Sequence, residues 1–105
     1  MFTVIIPLYN KTQFIERAIH SVVNQSIKPS EIIVVDDGST DSGPEKVKKL
    51  FGSQVNLYHQ ENKGVSAARN LGIYKAKSPY IAFLDADDFW HEEYLELVSK
   101  GINKI

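Results

Sequence analysis

The fold of this chain is decided by the stretch Tyr80-Ile81-Ala82-Phe83-Leu84-Asp85-Ala86-Asp87-Asp88-Phe89-Trp90. Its first part is an uninterrupted apolar run, which is typical of a strand buried on both faces in a parallel sheet. The three carboxylates that follow are therefore expected at the rim of the sheet, where the strand ends. Carboxylate oxygens suit a hard cation such as Mg²⁺ or Mn²⁺, which takes its remaining ligands from water and from substrate phosphates. The alternative is that these acids are solvated, with Asp88 the best placed of them to cap the next helix.

Length and composition describe one small globular domain, or part of one. The chain has 105 residues, of which 43% are hydrophobic and 24% charged. Because 13 acids nearly balance 12 bases, no overall field would attract nucleic acid or an anionic membrane surface. The absence of cysteine excludes disulfides, thiolate zinc sites and cysteine nucleophiles, which leaves oxygen atoms as the ligands for a metal.

The N-terminal residues predict a first strand, because the apolar patch there has no preceding basic region and no cleavage site of the kind a signal peptide needs. No run of about 18 apolar residues occurs, so no membrane span is predicted. The expected location is the cytoplasm, with the inner face of the membrane as an alternative.

Hydrophobic periodicity and turn residues predict eight elements in the order β-α-β-α-β-α-β-α. The strands are expected at residues 2–6 (closed by Pro7), 31–35, 55–59 (near an edge of the sheet) and 80–84. The helices are expected from a capping box at Asn10 to Ser26, from Pro44 to residue 51, over residues 65–75, and over residues 91–100, with two glutamates in the first turn of the last one. Small residues in the third helix predict that it packs closely on the sheet.

This order predicts a mostly parallel sheet with right-handed crossovers and helices on both faces. Ligands of such sheets bind outside the carboxyl ends of the strands. Each of the four predicted strands is followed by polar residues. We therefore expect one cleft formed by Tyr9-Asn10, Asp36-Asp37, Asn62-Lys63-Gly64 and Asp85-Ala86-Asp87-Asp88.

Several of these residues have a binding and a purely structural interpretation. Asp37 can accept a hydrogen bond from a base N–H or a ribose hydroxyl, or can simply belong to a turn. The ring of Tyr9 can stack on a flat ligand or fill the core. Lys63, Gly64 and Arg69 lie at or just inside a helix N-terminus, which favours anions such as phosphate, or they form an exposed basic turn. No phosphate loop and no Gly-x-Gly-x-x-Gly motif follows the first strand.

Four segments together resemble family 2 glycosyltransferases. They are Val4-Ile5-Ile6-Pro7-Leu8-Tyr9-Asn10, Glu31-Ile32-Ile33-Val34-Val35-Asp36-Asp37-Gly38-Ser39-Thr40-Asp41, Asn62-Lys63-Gly64-Val65-Ser66-Ala67-Ala68-Arg69-Asn70 and Phe83-Leu84-Asp85-Ala86-Asp87-Asp88. The resemblance covers nearly the whole chain. It implies the Rossmann-like GT-A fold, with residues 1–105 forming the N-terminal part that binds a nucleotide-diphosphate sugar, most often a UDP-sugar, together with Mg²⁺ or Mn²⁺.

The resemblance also assigns roles to individual residues. It implies that Tyr9 stacks on the nucleobase and that Asp37 bonds the base or ribose. Asp87, with Asp85, corresponds to the metal-binding Asp-x-Asp pair, and Asp85 also contacts the nucleotide. The further residues implied along the donor site are Pro7, Asn10, Lys63, Gly64 and Arg69. The general base is expected in an acceptor-binding half that is absent from this chain, so no catalytic residue is assigned.

The function implied is transfer of a sugar, with inversion, from the donor to a saccharide or lipid-linked acceptor in polysaccharide biosynthesis. One alternative is a catalytically incomplete nucleotide-binding or assembly fragment, which would pair with another copy through the unfinished edge of its sheet. A second alternative is a sugar nucleotidyltransferase, which uses similar metal and phosphate chemistry.

Overall fold

A computed structural model of the protein describes residues 1–103. Four strands alternate with four helices, in the order expected. The strands are β1 (Phe2–Leu8), β2 (Glu31–Asp36), β3 (Asn56–His59) and β4 (Tyr80–Phe83). The helices are α1 (Ile15–Val23), α2 (Gly43–Phe51), α3 (Val65–Lys75) and α4 (Tyr94–Asn103). None of the helices within the described residues is both long and apolar enough to cross a membrane.

All four strands are parallel and lie in the order β3-β2-β1-β4. Ile5 of β1 is paired with Ile33 on one side and with Phe83 on the other. Side chains of β1 alternate between two hydrophobic cores. The larger core contains residues of α1, α2 and α4, and the smaller one contains Ala68 and Leu71 of α3. The expected parallel sheet with helices on both faces is thus confirmed.

Strand β1 runs two residues beyond its predicted end, because Pro7 does not interrupt it. The N–H of Leu84 donates to Ile5 O, and the N–H of Asp37 donates to Leu8 O. Backbone groups alternate in direction along a strand, so position 7, like position 5, faces β4. Because β4 ends opposite Ile5, the N–H that proline lacks would have had no strand to bond.

The capping box predicted at Asn10 is wrong. Asn10 adopts a left-handed backbone with φ of 51°, and its Oδ1 accepts hydrogen bonds from the N–H and the hydroxyl of Thr40. Helix α1 begins only at Ile15 and has no side-chain cap. The side chain of Asn10 therefore holds the loop after β2 instead of the start of a helix.

The prediction that residues 80–84 form a strand buried on both faces is also wrong. β4 ends at Phe83 and has a paired neighbour on one side only within the described part of the chain, so it lies at an edge of this sheet, as β3 does. Its end residues Tyr80 and Phe83 are 39% and 41% exposed. The most buried strands are the central pair β1 and β2, because helices cover both faces of the sheet there and each of these strands has a neighbour on both edges.

Helix α3 has the predicted bounds and packs as closely on the sheet as its small residues suggested. A Cβ at Gly72 would come within 2.6 Å of the Cγ2 atom of Ile5. Glycine at this position therefore lets the helix backbone approach the central strand, which outweighs the cost of about 1 kcal/mol for glycine inside a helix.

Helix α4 begins at Tyr94, three residues later than expected, so the predicted glutamates of its first turn precede it and Asp88 does not cap it. The buried carboxamide of Gln25 holds this junction. Its Oε1 accepts from the N–H of Leu95, and its Nε2 donates to the carbonyls of Ser21 and His91. A glutamine at the end of α1 thus supplies a hydrogen-bond acceptor to the first turn of α4, which a local sequence signal does not reveal.

Candidate functional site

A cleft of about 330 Å³ opens at the carboxyl ends of the strands. Its walls come from the ends of β1 and β2, from the N-terminus of α3 and from the segment after β4, as expected for a parallel α/β sheet. The residues that line it are Pro7, Leu8, Tyr9, Lys11, Asp37, Asn62, Gly64, Val65, Asp85, Ala86 and Asp87.

Asp37 lines this cleft, and its carboxylate organises the turn before α3. One oxygen accepts hydrogen bonds from the N–H of Lys63 at 2.7 Å and from Nε2 of Gln60 at 2.8 Å. The other accepts from the N–H of Gly64 at 3.0 Å. Burial raises the pKa of Asp37, but these hydrogen bonds outweigh that effect and bring the pKa below its usual value. The residue is only 5% exposed and lines the cleft.

The adjacent Asp36 has a structural environment. Its carboxylate accepts from the N–H of Ser39 and lies 3.2 Å from Nδ1 of His59 on the neighbouring strand. It does not line the cleft. Of the two neighbouring acids, Asp37 is therefore the one available to a ligand.

Asp85 and Asp87 both line the cleft, Asp85 at the start of a turn that follows β4 and Asp87 within it. The preceding Leu84 and the intervening Ala86 are buried, whereas the two aspartates are exposed. Their side chains are 60% and 50% exposed. Asp88 is not part of the lining; its N–H donates to Asp85 O in a turn that directs the chain away.

Each of these aspartates is next to a basic side chain. Nη2 of Arg69 lies 3.3 Å from Oδ1 of Asp85, and Nζ of Lys11 lies 3.6 Å from Oδ2 of Asp87. The guanidinium of Arg69 also lies over the ring of Phe83, with 5.7 Å to the ring centroid. The rim of the cleft therefore carries both signs of charge.

The N-terminus of α3 forms another wall of the cleft. Gly64 precedes the helix with φ of 99°, a backbone that disfavours any residue with a Cβ, and open space surrounds its α-carbon. The N–H groups of the first helical turn have no acceptor within the helix. Together with the helix dipole they favour an anion at this wall.

Six of the nine residues assigned to the site from sequence line the cleft, and three lie outside its lining. The six are Pro7, Tyr9, Asp37, Gly64, Asp85 and Asp87. Asn10 is bonded to the loop after β2, Lys63 contributes its backbone N–H to Asp37, and Arg69 reaches the rim through Asp85. Tyr9 is not core filling, since it is 43% exposed.

Lys11 is a polar residue of the lining that the sequence did not indicate, whereas Asn62 was expected in the cleft but was given no individual role. Asn62 belongs to the polar turn that already contained Lys63 and Gly64, so the signal was present. Lys11 follows Asn10, whose left-handed backbone directs the chain around the rim. Nothing in the periodicity indicates that bend.

The side chains present suit a hard divalent cation only in part. Among the described residues, no group of three or more histidine, cysteine, aspartate or glutamate side chains could hold a metal ion. Asp85 and Asp87 nevertheless offer carboxylate oxygens on one side of an open cleft. This donor set fits Mg²⁺ or Mn²⁺, which keep waters and take further oxygens from bound phosphates.

Comparison with known sequences shows a family match over almost the whole chain. Residues 3–104 match the description Glycosyl transferase family 2. Glycosyltransferase GlyA of Streptococcus pneumoniae is 38% identical over 102 residues, which are 95% of this chain and 15% of the relative. The minor teichoic acid biosynthesis protein GgaA of Bacillus subtilis is 42% identical over 106 residues, covering 93% of this chain and 24% of the relative. The chain thus spans less than a quarter of the length of these relatives.

Solved structures with the same fold include two sugar-nucleotide complexes. S. aureus TarS in complex with UDP-GlcNAc has a TM-score of 0.84 and 29% identity, covering 98% of this chain and 31% of that one. The mannosyltransferase PcManGT of Pyrobaculum calidifontis, in complex with GDP-Man and Mn²⁺, has a TM-score of 0.83 and 29% identity, covering 94% of this chain and 31% of that one.

Proposed function

The chain belongs to glycosyl transferase family 2, and on this premise we propose that it binds a nucleotide-diphosphate sugar for transfer to an acceptor. The donor we propose is a UDP-sugar. The observation that carries the proposal is the convergence of four separate segments on one cleft, with the carboxylates of Asp85 and Asp87 on its open side. The complexes of TarS with UDP-GlcNAc and of PcManGT with GDP-Man support a donor of this class.

In this proposal the part of the cleft that is lined by Tyr9 and Asp37 holds the nucleoside. The exposed ring of Tyr9 stacks on the base, and Asp37 accepts from a base N–H or a ribose hydroxyl. Among the described residues, Oδ2 of Asp37 accepts one hydrogen bond, and a carboxylate oxygen can accept a second. Because three internal bonds already fix this carboxylate, it meets the ligand without reorganisation.

The diphosphate is proposed to lie between the N-terminus of α3 and the rim aspartates. Free N–H groups at Val65 and the following residues donate to phosphate oxygens, and Arg69 adds positive charge at the rim. Asp87, with Asp85, is proposed to hold Mg²⁺ or Mn²⁺. Such an ion supplies positive charge that stabilises the departing diphosphate.

The acceptor and the stereochemistry follow from the family resemblance alone. We propose a saccharide or lipid-linked acceptor and inversion at the anomeric carbon. The described residues of this chain provide groups for donor binding. The proposed general base is not among these residues. The relation of GgaA to teichoic acid biosynthesis supports a polymer-building context.

Calorimetry of UDP binding in the presence of Mn²⁺ tests the donor site. We expect Asp87→Asn to weaken binding by at least about tenfold, since it removes the charge that holds the cation. Asp88→Asn is the matched control, because it makes the same change one residue away but outside the cleft lining. We expect it to alter affinity by less than about twofold.

Two results would contradict this proposal. One is no binding of UDP or GDP by the unmodified chain with Mn²⁺ present. The other is equal weakening by Asp87→Asn and Asp88→Asn, which would show a general effect of charge. Comparing UDP with GDP in the same experiment identifies the base that the cleft prefers.

A further inference from the structure

Lys11 has a charged group at the rim of the candidate site but no role in the donor binding described above. Its ammonium nitrogen lies 3.6 Å from Oδ2 of Asp87, and both side chains line the cleft. They are 42% and 50% exposed. Within residues 1–103, Asp87 is the acidic residue that forms an ion pair with the Lys11 ammonium.

The backbone around Lys11 is held firmly on both sides. The N–H of Asn10 donates to Oγ of Ser39, and the N–H of Thr12 donates to a carboxylate oxygen of Asp41. The stem of a lysine has four rotatable carbon–carbon bonds and ends in a compact charge. The anchoring point of Lys11 is therefore fixed, while its ammonium can move across the rim of the cleft.

Asp87 is held independently of Lys11. Nη2 of Arg17 donates to the backbone carbonyl of Asp87 at 3.2 Å, and the guanidinium of Arg17 lies 4.5 Å from the ring centroid of Phe89. Loss of the Lys11 ammonium should therefore leave the Asp87 backbone in place. This separation allows the charge of Lys11 to be tested without displacing the carboxylate.

The ion pair between Arg69 and Asp85, the other aspartate at the rim, has a different environment. Arg69 lies over Phe83, and its Nε is buried without a hydrogen-bond partner among the described residues. The guanidinium of Arg69 therefore has a contact with the ring of Phe83 in addition to its ion pair with Asp85. Of the two basic residues, Lys11 is the one whose charge is free to change partner.

We propose that Lys11 is the counter-ion of Asp87 in the ligand-free protein and transfers its ammonium to the donor diphosphate when a divalent cation binds Asp87. This inference rests on the proposed function. Lys11 then opposes binding of the cation alone, because a positive charge already occupies the carboxylate. Lys11 favours binding of the diphosphate, because the released ammonium gains an anionic partner. Its effects on the two ligands therefore have opposite signs.

Calorimetry with Mn²⁺ alone, and with UDP at saturating Mn²⁺, tests this prediction on Lys11→Met, which removes the ammonium and keeps an unbranched side chain of similar length. We expect the variant to bind Mn²⁺ alone about threefold to fivefold more tightly, the scale of one exposed ion pair. We expect it to bind UDP roughly tenfold more weakly, the scale of a hydrogen bond to a charged group. Lys11→Arg should restore most of the UDP affinity.

Lys49→Met is the matched control, because it removes the same charge from an exposed position of α2 that lies outside the cleft. It should change neither affinity by more than about twofold. If Lys11→Met weakens the binding of both Mn²⁺ and UDP, or changes neither affinity while the unmodified chain binds UDP, the proposed role of Lys11 is refuted. The proposal of donor binding would then remain. If the unmodified chain binds no nucleotide, the proposed function itself fails.

Discussion

Replacement of Asp37 by asparagine should destabilise the protein, because the carboxylate joins the end of β2 to the turn before α3. Its two oxygens accept three hydrogen bonds, from the N–H groups of Lys63 and Gly64 and from Gln60. Asparagine has nearly the same shape, but one of its two terminal atoms is an NH₂ group that donates. In either orientation of the amide, at least one donor of the protein faces another donor.

The size of the effect follows from the number and type of these bonds. A hydrogen bond to a charged group contributes about 1.5–3 kcal/mol to the free energy of unfolding. Asp37→Asn removes at least one such bond and turns the remaining ones into bonds to a neutral acceptor. Because the site is 5% exposed, water cannot fully replace what is lost. We expect a loss of about 2–4 kcal/mol.

The effect should also depend on pH, with a definite sign. Hydrogen bonds bring the pKa of Asp37 in the folded protein below its usual value, although burial alone would raise it. A lowered folded pKa contributes stability that is complete above the ordinary carboxyl pKa of about 4 and is lost as the pH falls through the folded pKa. The difference between the two proteins should therefore be constant from about pH 7 to pH 5 and narrow below about pH 4.

Urea unfolding followed by the fluorescence of Trp90, the single tryptophan, measures this difference. Asp88→Asn serves as the control, since Asp88 is exposed and its carboxylate accepts one hydrogen bond, from the N–H of Phe89. We expect the control to change stability by less than about 0.5 kcal/mol. A loss of stability in Asp37→Asn no larger than that of the control, or a stability difference between Asp37→Asn and the unmodified protein that widens on acidification, would refute this role of the carboxylate.

Two further predictions concern packing and buried hydrogen bonds, both measurable by urea unfolding. Gly72→Ala should lower the free energy of unfolding by about 1–3 kcal/mol, because the new methyl group would meet Ile5 at 2.6 Å. Gly101→Ala, with open space around it, should instead stabilise α4 by up to about 1 kcal/mol. Equal effects of the two substitutions would refute the close helix–sheet contact. Gln25→Leu should lower the free energy of unfolding by about 2–4 kcal/mol, because three backbone groups lose their hydrogen-bond partner. Gln13→Leu, at an exposed position, should lower it by less than about 0.5 kcal/mol. A similarly small loss in Gln25→Leu would refute the role of Gln25 at the α1–α4 junction.

Much of the fold could be predicted from the sequence because its signals are local. Period-2 and period-3.6 patterns identified all eight elements in order, and the polar residues after the strands indicated where a cleft would form. The spacing of Asp85 and Asp87 directly after a predicted strand already indicated that both carboxylates would face one cleft, and the structure shows that they line it from a turn.

The errors arose where one hydrogen-bonding or apolar group had several partners to choose from. Asn10 has the chemistry of a helix cap, but its side chain bonds Thr40, thirty positions away. The apolar run at residues 80–83 showed that the strand could be buried, but not which strands would lie beside it. A residue's own chemistry states what it can bond, and only its spatial neighbours decide what it does bond.

The sequence by itself determined the alternation of strands and helices, the parallel sheet and the edge at which polar groups collect, because these follow from periodicity and from the handedness of the chain. The tertiary structure alone decided that β4 lies at an edge, that Asp37 is enclosed by three donors and that Lys11 lies beside Asp87. These contacts join residues up to 76 positions apart in the printed sequence. Such contacts depend on how the loops after different strands meet, which no local pattern of residues encodes.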